Sequence, residues 1–148
     1  MLHDRMSIPI QGNDMNRTMN QWEIQQLTKF NNISIGAHTK SHTKLSQLSV
    51  DSQKEEINES KEILEKISGQ KIEIFSYPFG EDEDYTEQTV EILKTCGIKK
   101  AAVVKQGLYS KEYGEYRIPR NTVNGGTTVR QLKKIIEKSW FEYGEKAI

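Results

Sequence analysis

Residues 33–48 read ISIGAHTKSHTKLSQL, and this stretch decides how the rest of the chain is interpreted. An apolar, strand-like run ends at Gly36 and Ala37, and two histidines follow it, His38 and His42. Four residues are about one helical turn, so on a helical turn both imidazoles would point to one side. Two imidazoles on one side are typical of a site for a first-row metal, although surface or capping histidines have this spacing more often.

The composition fits one folded domain of neutral charge. The chain has 148 residues with 21 basic and 21 acidic side chains, so its formal net charge is zero. A neutral chain gives no electrostatic reason to bind nucleic acid or an anionic membrane. No apolar run approaches the roughly 18 residues of a membrane span and no signal peptide is visible, so the chain as written is expected in the cytoplasm. The single cysteine, Cys96, excludes an internal disulfide and a CxxC metal site.

Helical and strand-like patterns alternate along the sequence. Cap residues and apolar periodicity predict helices after Asn20, over 50–68, over 85–95 and from Thr128 onward. Apolar and β-branched runs predict strands over 33–37, 71–77, 101–104 and 116–120, whereas residues 1–19 are poorly patterned. Strands that alternate with helices predict an α/β fold with parallel pairing and right-handed crossovers.

A second distinctive cluster, Tyr77-Pro78-Phe79-Gly80, ends the second predicted strand. Functional sites of parallel α/β folds lie at the carboxyl ends of the strands, so this cluster and the histidines are expected at one edge. Taken alone, the cluster is more simply a strand-to-loop turn with an aromatic plug. The acidic run that follows, residues 81–84, is expected to be a solvated loop that favours the start of the next helix.

Four segments together resemble the polysaccharide deacetylase family of carbohydrate esterases, over about residues 20–136. In chain order they are ISIGAHTKSHTKLSQLS, ESKEILEKISGQKIEIFSYPFG, VEILKTCGIKKAAVV and YRIPRNTV. The resemblance implies an incomplete, distorted (β/α) barrel, formed by a single domain that covers residues 1–148 and is truncated at its N-terminus relative to the family. It also implies a divalent metal, most commonly zinc, and an N-acetylated oligo- or polysaccharide whose amino sugars lose their N-acetyl groups.

The resemblance gives the first cluster a metal-binding role. By this match His38 and His42 are two of the three protein ligands, and Thr39 shapes the segment between them. An open position on such a metal binds water, lowers its pKa and polarises the amide carbonyl.

The resemblance gives the second cluster a role in binding the substrate. Phe79 would offer its backbone N–H to the developing oxyanion, and Tyr77 and Pro78 would line the sugar groove. Arg117 or Arg120 would supply a positive charge, because Ser76 stands where the family often has an arginine.

The sequence also departs from the family pattern at its acid and base. The family begins with a strand that ends in adjacent aspartates, one a metal ligand and one the general base, and no Asp-Asp pair occurs in this sequence. The family ends with a histidine that acts as general acid, and no histidine follows His42. The base and the acid therefore stay unassigned, and hydrolysis without a base is expected to be roughly 10²–10⁴-fold slower or worse.

Three hypotheses remain open from the sequence. The first is a metal-dependent amino-sugar deacetylase. The second is a catalytically inactive domain that acts as a carbohydrate-binding or interaction module, whose sugar binding would be indifferent to a chelator. The third is a truncated fragment with an open sheet edge, which would favour a homodimer through that edge.

Overall fold

The computed structural model describes residues 17–107 and 109–144. This part of the chain has the predicted α/β fold, although helices and strands alternate only in its middle. In chain order the elements are α1 (Gln21–Leu27), α2 (Val50–Ser68), β1 (Ile74–Ser76), α3 (Glu87–Thr95), β2 (Lys100–Val103), β3 (Ile118–Pro119) and α4 (Val129–Gly144). The predictions for residues 1–16 lie outside the described residues. None of the helices that the structure describes is long and apolar enough to cross a membrane.

The three strands form one parallel sheet in the order β1-β2-β3, with Phe75 beside Ala101 and Ala102 beside Ile118. The first predicted strand, residues 33–37, is reduced to a single parallel bridge between Ala37 and Phe75. The sheet is open over the residues that the structure describes, so the expected incomplete barrel is confirmed only as a parallel α/β sheet. The strand is this short because only Ala37 exchanges hydrogen bonds with β1. The Ala37 N–H donates to Ile74 O, and the Ser76 N–H donates to Ala37 O.

The helix boundaries follow from local caps. The prediction of α2 over residues 50–68 is confirmed, because the Ser49 hydroxyl accepts from Ser52 N at the start and Gly69 ends the helix with a φ of 68°. The third helix begins two residues later than predicted. Thr86 is its N-cap, and the preceding Tyr85 is buried and stacked on Tyr77 instead of entering the helix.

The hydrophobic core lies between the sheet and helices α2 and α3, and it extends to the carboxyl end of β1. Tyr77 is fully buried there, and its ring lies 4.1 Å from that of Tyr85, with the two ring planes 18° apart. The side chains that the sheet and the two helices contribute include Ile57, Ile72, Phe75, Leu93, Ala101 and Val103.

Gly80 keeps the ends of β1 and β2 close together beyond the sheet. Its carbonyl accepts from Val104 N at 2.9 Å, and its φ is 80°. A Cβ at this position would lie 2.8 Å from Val104 N, which no side chain tolerates. The loop that carries Tyr77-Pro78-Phe79 is therefore fixed on the side of β2.

Candidate functional site

The two sequence clusters meet at the carboxyl edge of the sheet. The ring centroids of His38 and His42 are 4.8 Å apart, and those of His42 and Phe79 are 5.0 Å apart, both pairs edge-on. His38 is half-buried, whereas His42 and Phe79 are exposed. The prediction that the clusters lie together is confirmed, since Ala37 and β1 are neighbours in the sheet and both loops leave from that edge.

The His38 ring is oriented by a backbone carbonyl. Its Nδ1 lies 2.6 Å from Ser76 O. A carbonyl oxygen only accepts hydrogen bonds, so Nδ1 is the donor, and Nε2 is the nitrogen through which the neutral ring would bind a ligand. This arrangement is the one by which metal-binding histidines are usually held, with the second ring nitrogen free to act as ligand.

The histidines are brought together by a loop and not by a helical turn, which corrects the local geometry expected from their spacing. Thr39 and His42 both have left-handed backbones, with φ of 59° and 58°. Each such residue costs of order 1–3 kcal/mol and persists only where its surroundings impose it. The buried Thr39 hydroxyl accepts from His42 N at 3.0 Å, and this contact lies within the segment that Thr39 is predicted to shape.

Glu56 holds the outer side of the same loop from helix α2. Its Oε2 accepts from Lys40 N at 3.0 Å and from Ser41 N at 2.9 Å, and its Oε1 accepts from the Ser41 hydroxyl at 2.6 Å. Sequence reasoning missed this residue. Helix α2 carries several glutamates, and no local pattern marks the one that faces the histidine loop.

Phe79 is the exposed member of the second cluster. Its backbone is left-handed, with φ at 62°, and its side chain is 54% exposed. In the part of the chain that the structure describes, no hydrogen bond is donated by the Phe79 N–H. That N–H is therefore available to an external acceptor beside the histidines.

Tyr77 and Pro78 do not line a groove, which corrects the role that the resemblance implied for them. Both side chains are fully buried. The Tyr77 hydroxyl donates to Tyr116 O at 3.1 Å, and burial raises the pKa of this phenol well above its ordinary value. The two side chains belong to the core beneath the site, where the Tyr77 ring is stacked on that of Tyr85.

Arg120 is the arginine that reaches the site. Its Nη1 donates to the Ser76 hydroxyl at 2.9 Å, and its backbone N–H donates to Lys105 O. Arg117 is directed elsewhere, where it pairs with Glu87 and lies over the Tyr85 ring. A guanidinium thus contacts the residue whose carbonyl orients His38.

An ion pair with a buried carboxylate joins the two site loops. Asp84 is 2% exposed, its Oδ2 accepts from Glu81 N at 2.8 Å, and its Oδ1 pairs with Lys44 Nζ. Ser46 N also donates to Asp84 O. The expectation that residues 81–84 form a solvated loop is therefore wrong for Asp84, which sequence reasoning missed because its partner lies 40 positions earlier.

A shallow cavity of about 290 Å³ lies next to this edge and not over the histidines. It is lined mainly by polar and charged residues of the loops after β1 and β2, including Glu81, Asp82 and Lys105. Gly80 forms part of its wall, so the cavity opens beside Phe79.

The histidines fit part of a zinc site. Two imidazole nitrogens are a usual part of a zinc ligand set, which needs a third protein ligand in a catalytic centre. Over residues 17–107 and 109–144, no group of three or more histidine, cysteine, aspartate or glutamate side chains is placed to hold a metal. The described residues therefore supply two ligand positions.

Comparison with known proteins identifies the family of this chain. The family model described as polysaccharide deacetylase matches residues 10–101, which is more than half of the chain. The chain belongs to the polysaccharide deacetylase family. The resemblance drawn from the histidine and SYPFG segments is thereby confirmed.

Relatives of this polysaccharide deacetylase domain extend the comparison. It is 30% identical over 105 residues to YxkH of Bacillus subtilis (strain 168), whose name places it among the polysaccharide deacetylases; the match covers 71% of this chain and 37% of YxkH. The polysaccharide deacetylase BC0361 of Bacillus cereus has a TM-score of 0.72 and 26% identity, over 83% of this chain and 38% of that protein. The deacetylase PplD of Streptococcus pyogenes, solved with acetate, has a TM-score of 0.73 and 21% identity, over 85% and 53%. The domain thus spans about half of these relatives or less.

Proposed function

We propose that this polysaccharide deacetylase domain forms part of the centre of a metal-dependent hydrolase that removes N-acetyl groups from the amino sugars of a glycan. The observation that carries the proposal is the His38 ring, whose Nδ1 is held by Ser76 O while Nε2 remains free beside His42. A histidine whose Nδ1 is held by a backbone carbonyl, with a second histidine beside it, is the arrangement expected for metal ligands.

The neighbouring groups support the same chemistry. A zinc ion bound by His38 and His42 would supply Lewis-acid polarisation of the acetamide carbonyl. The Phe79 N–H lies beside them and would donate a hydrogen bond to the carbonyl oxygen as negative charge develops on it. The Arg120 guanidinium adds a positive charge at the same edge. The chain has no adjacent aspartates and no histidine after His42, so base and acid stay unassigned.

Zinc stoichiometry after equilibrium dialysis tests this proposal. We expect about one zinc ion per chain for the wild type and loss of that ion in His42→Ala, because one remaining imidazole makes too weak a site. A matched control is His3→Ala, which removes a histidine far from the motif in sequence. Equal zinc content in the wild type and His42→Ala, or none in either, would contradict the proposal. Acetate release from an N-acetylated oligosaccharide would then be measured on the zinc-loaded chain.

A second candidate is a carbohydrate-binding module without catalysis. It is favoured by the finding that residues 17–107 and 109–144 contain no cluster of three metal-binding side chains. This alternative predicts that an N-acetylated oligosaccharide binds equally well with and without a chelator, and that Arg120→Ala weakens binding while His42→Ala does not. The homodimer through the sheet edge also stays a prediction, to be checked by sedimentation velocity over a range of concentrations.

A further inference from the structure

The loop between the two histidines makes a concave set of donors that all point to one acceptor. Lys40 N and Ser41 N donate to a single oxygen of Glu56, and the Ser41 hydroxyl donates to the other. Successive backbone N–H groups converge in this way only when the chain turns sharply, as it does at the left-handed Thr39. An ionised carboxylate is the strongest acceptor for such a set.

We propose that Glu56 is the positioning residue of the histidine pair: its carboxylate fixes the loop from Thr39 to His42 and thereby sets the placement of the two imidazoles. Thr39 closes this loop from inside through its hydroxyl, and Glu56 closes it from outside. The histidines are at the two ends of the segment, so the loop conformation sets the distance between their backbones, while Ser76 O orients the His38 ring.

Helix α2 gives Glu56 a rigid base. The next residue, Ile57, is fully buried in the core, and Gln53, one turn earlier, is 3% exposed and bonded to Leu48 O and to the Thr89 hydroxyl. The Cα of Glu56 is therefore fixed relative to the core. Its side chain is half-buried, and it connects this fixed helix to a loop that contains two left-handed residues.

Glu59 provides a matched comparison, because it lies on the same helix one turn later and also contacts this loop. Its carboxylate pairs with Lys40 Nζ, and both side chains are more than a third exposed. Glu59 touches the end of a flexible side chain and no backbone group of the loop. Replacing Glu59 removes the same charge from the same helix face without releasing Lys40 N or Ser41 N.

The first test does not depend on metal. In proton NMR spectra of the full 148-residue chain, cross-ring nuclear Overhauser effects between His38 and His42 are expected for the wild type and for Glu59→Gln, given ring centroids 4.8 Å apart. Glu56→Ala should lose these effects and should increase the exchange rates of the Lys40 and Ser41 amides by about tenfold or more. Unchanged ring contacts and exchange rates in a folded Glu56→Ala would overturn the proposal. If Glu56→Ala does not fold, Glu56→Gln, which keeps the size but replaces one acceptor oxygen by a donor, is used with the same criteria.

The second test uses zinc alone, and it is the only arm that rests on the proposed function. Competition with a chromophoric chelator should show zinc affinity about 10–100-fold lower in Glu56→Gln and near wild type in Glu59→Gln. Equal affinity in all three chains would overturn the positioning role. If the wild type binds no zinc, the proposed function fails. The ring contacts and the amide exchange rates of the first test still show whether Glu56 positions the histidines.

Discussion

At Phe79 the backbone has a φ of 62°, a conformation that side chains with a Cβ adopt at a cost. The ring is 54% exposed and touches His42, so little core packing offsets that cost. The residue sits directly after the buried Tyr77 and Pro78 and directly before Gly80. Strain that is retained next to exposed histidines is typical of a site whose geometry is imposed by function.

Comparison of two substitutions at Phe79 measures this strain. In an ordinary extended segment, a protein with glycine is less stable than the same protein with alanine by roughly 0.5–1 kcal/mol. At Phe79 we expect the opposite order, with Phe79→Gly more stable than Phe79→Ala by about 1 kcal/mol, because only glycine adopts this φ freely. Urea denaturation of both variants gives the difference.

Val123 serves as the control position, since it is 55% exposed and its backbone is not left-handed. Val123→Gly should be less stable than Val123→Ala. If the glycine variant is less stable than the alanine variant at Phe79 as well as at Val123, the Phe79 backbone is not strained.

Some residues of the site could be predicted from the sequence and others could not. That His38 and His42 lie side by side was expected from their spacing, but the helical turn on which that expectation rested is a loop in the structure. The left-handed Thr39 and His42 were not predictable, because nothing local marks a non-glycine residue for that conformation. Glu56 was hidden among the other glutamates of α2, since its partners are 15 and 16 positions away.

At the scale of elements, the histidine loop and the loop after β1 are joined through Asp84 and Lys44. The Asp84 carboxylate has almost no contact with solvent and accepts both the Lys44 ammonium and Glu81 N. The Lys44 side chain is 30% exposed, and the hydrogen bond to Asp84 raises its pKa. This pair sets the distance between the two segments that form the site.

Replacing Asp84 tests this connection. Asp84→Asn should lower the free energy of unfolding by about 1–3 kcal/mol, because a buried acceptor that received two donors is replaced by a group that is itself partly a donor. Chemical denaturation at neutral pH measures the change. Glu91→Gln, which breaks an exposed pair with Lys94, should leave the stability nearly unchanged. Equal effects of the two substitutions would mean that the Asp84 pair does not stabilise the fold.

Helices were predicted more closely than strands for a physical reason. The limits of α2 depend on Ser49 and Gly69, which directly precede and follow the helix in sequence, so the prediction of residues 50–68 is confirmed. A strand is defined by hydrogen bonds to another segment. Residues 33–37 have a strand-like composition, yet within that run only Ala37 pairs with another strand. The strand predicted over 71–77 is reduced to Ile74–Ser76, although the backbones of Glu73 and Tyr77 on either side also hydrogen-bond to the neighbouring segment.

At the scale of the whole molecule, Glu65 connects the helical layer to the sheet layer. Its carboxylate accepts from Lys61 on α2 and from Ile72 N at the approach to β1. The hydrogen bond from Lys61, together with that from Ile72 N, holds the pKa of Glu65 below its ordinary value. The folded chain therefore binds this proton less readily than the unfolded chain does.

This difference predicts how acid affects the fold. Stability from Glu65 is fully present above the pKa of the unfolded group and is lost as the pH falls through the lower pKa of the folded state. Glu65→Gln should therefore be less stable than the wild type at pH 7, and the gap between them should narrow below about pH 4.5. Thermal unfolding measured from pH 7 to pH 3 gives both curves. A gap that stays constant with pH would show that the charge of Glu65 does not contribute.

Gly80 has a consequence for how copies of this domain change over generations. A Cβ at this position would lie 2.8 Å from Val104 N, so a substitution there disturbs the spacing of two strands before it touches any group that could react. Selection for a folded chain alone is enough to retain the residue. A descendant that has lost its reaction but still folds would keep Gly80 while His38, His42 and the exposed Phe79 drift. Retention of Gly80 in a related chain would thus show that the fold was kept, and under the proposed function retention of the histidines would show that the reaction was kept as well.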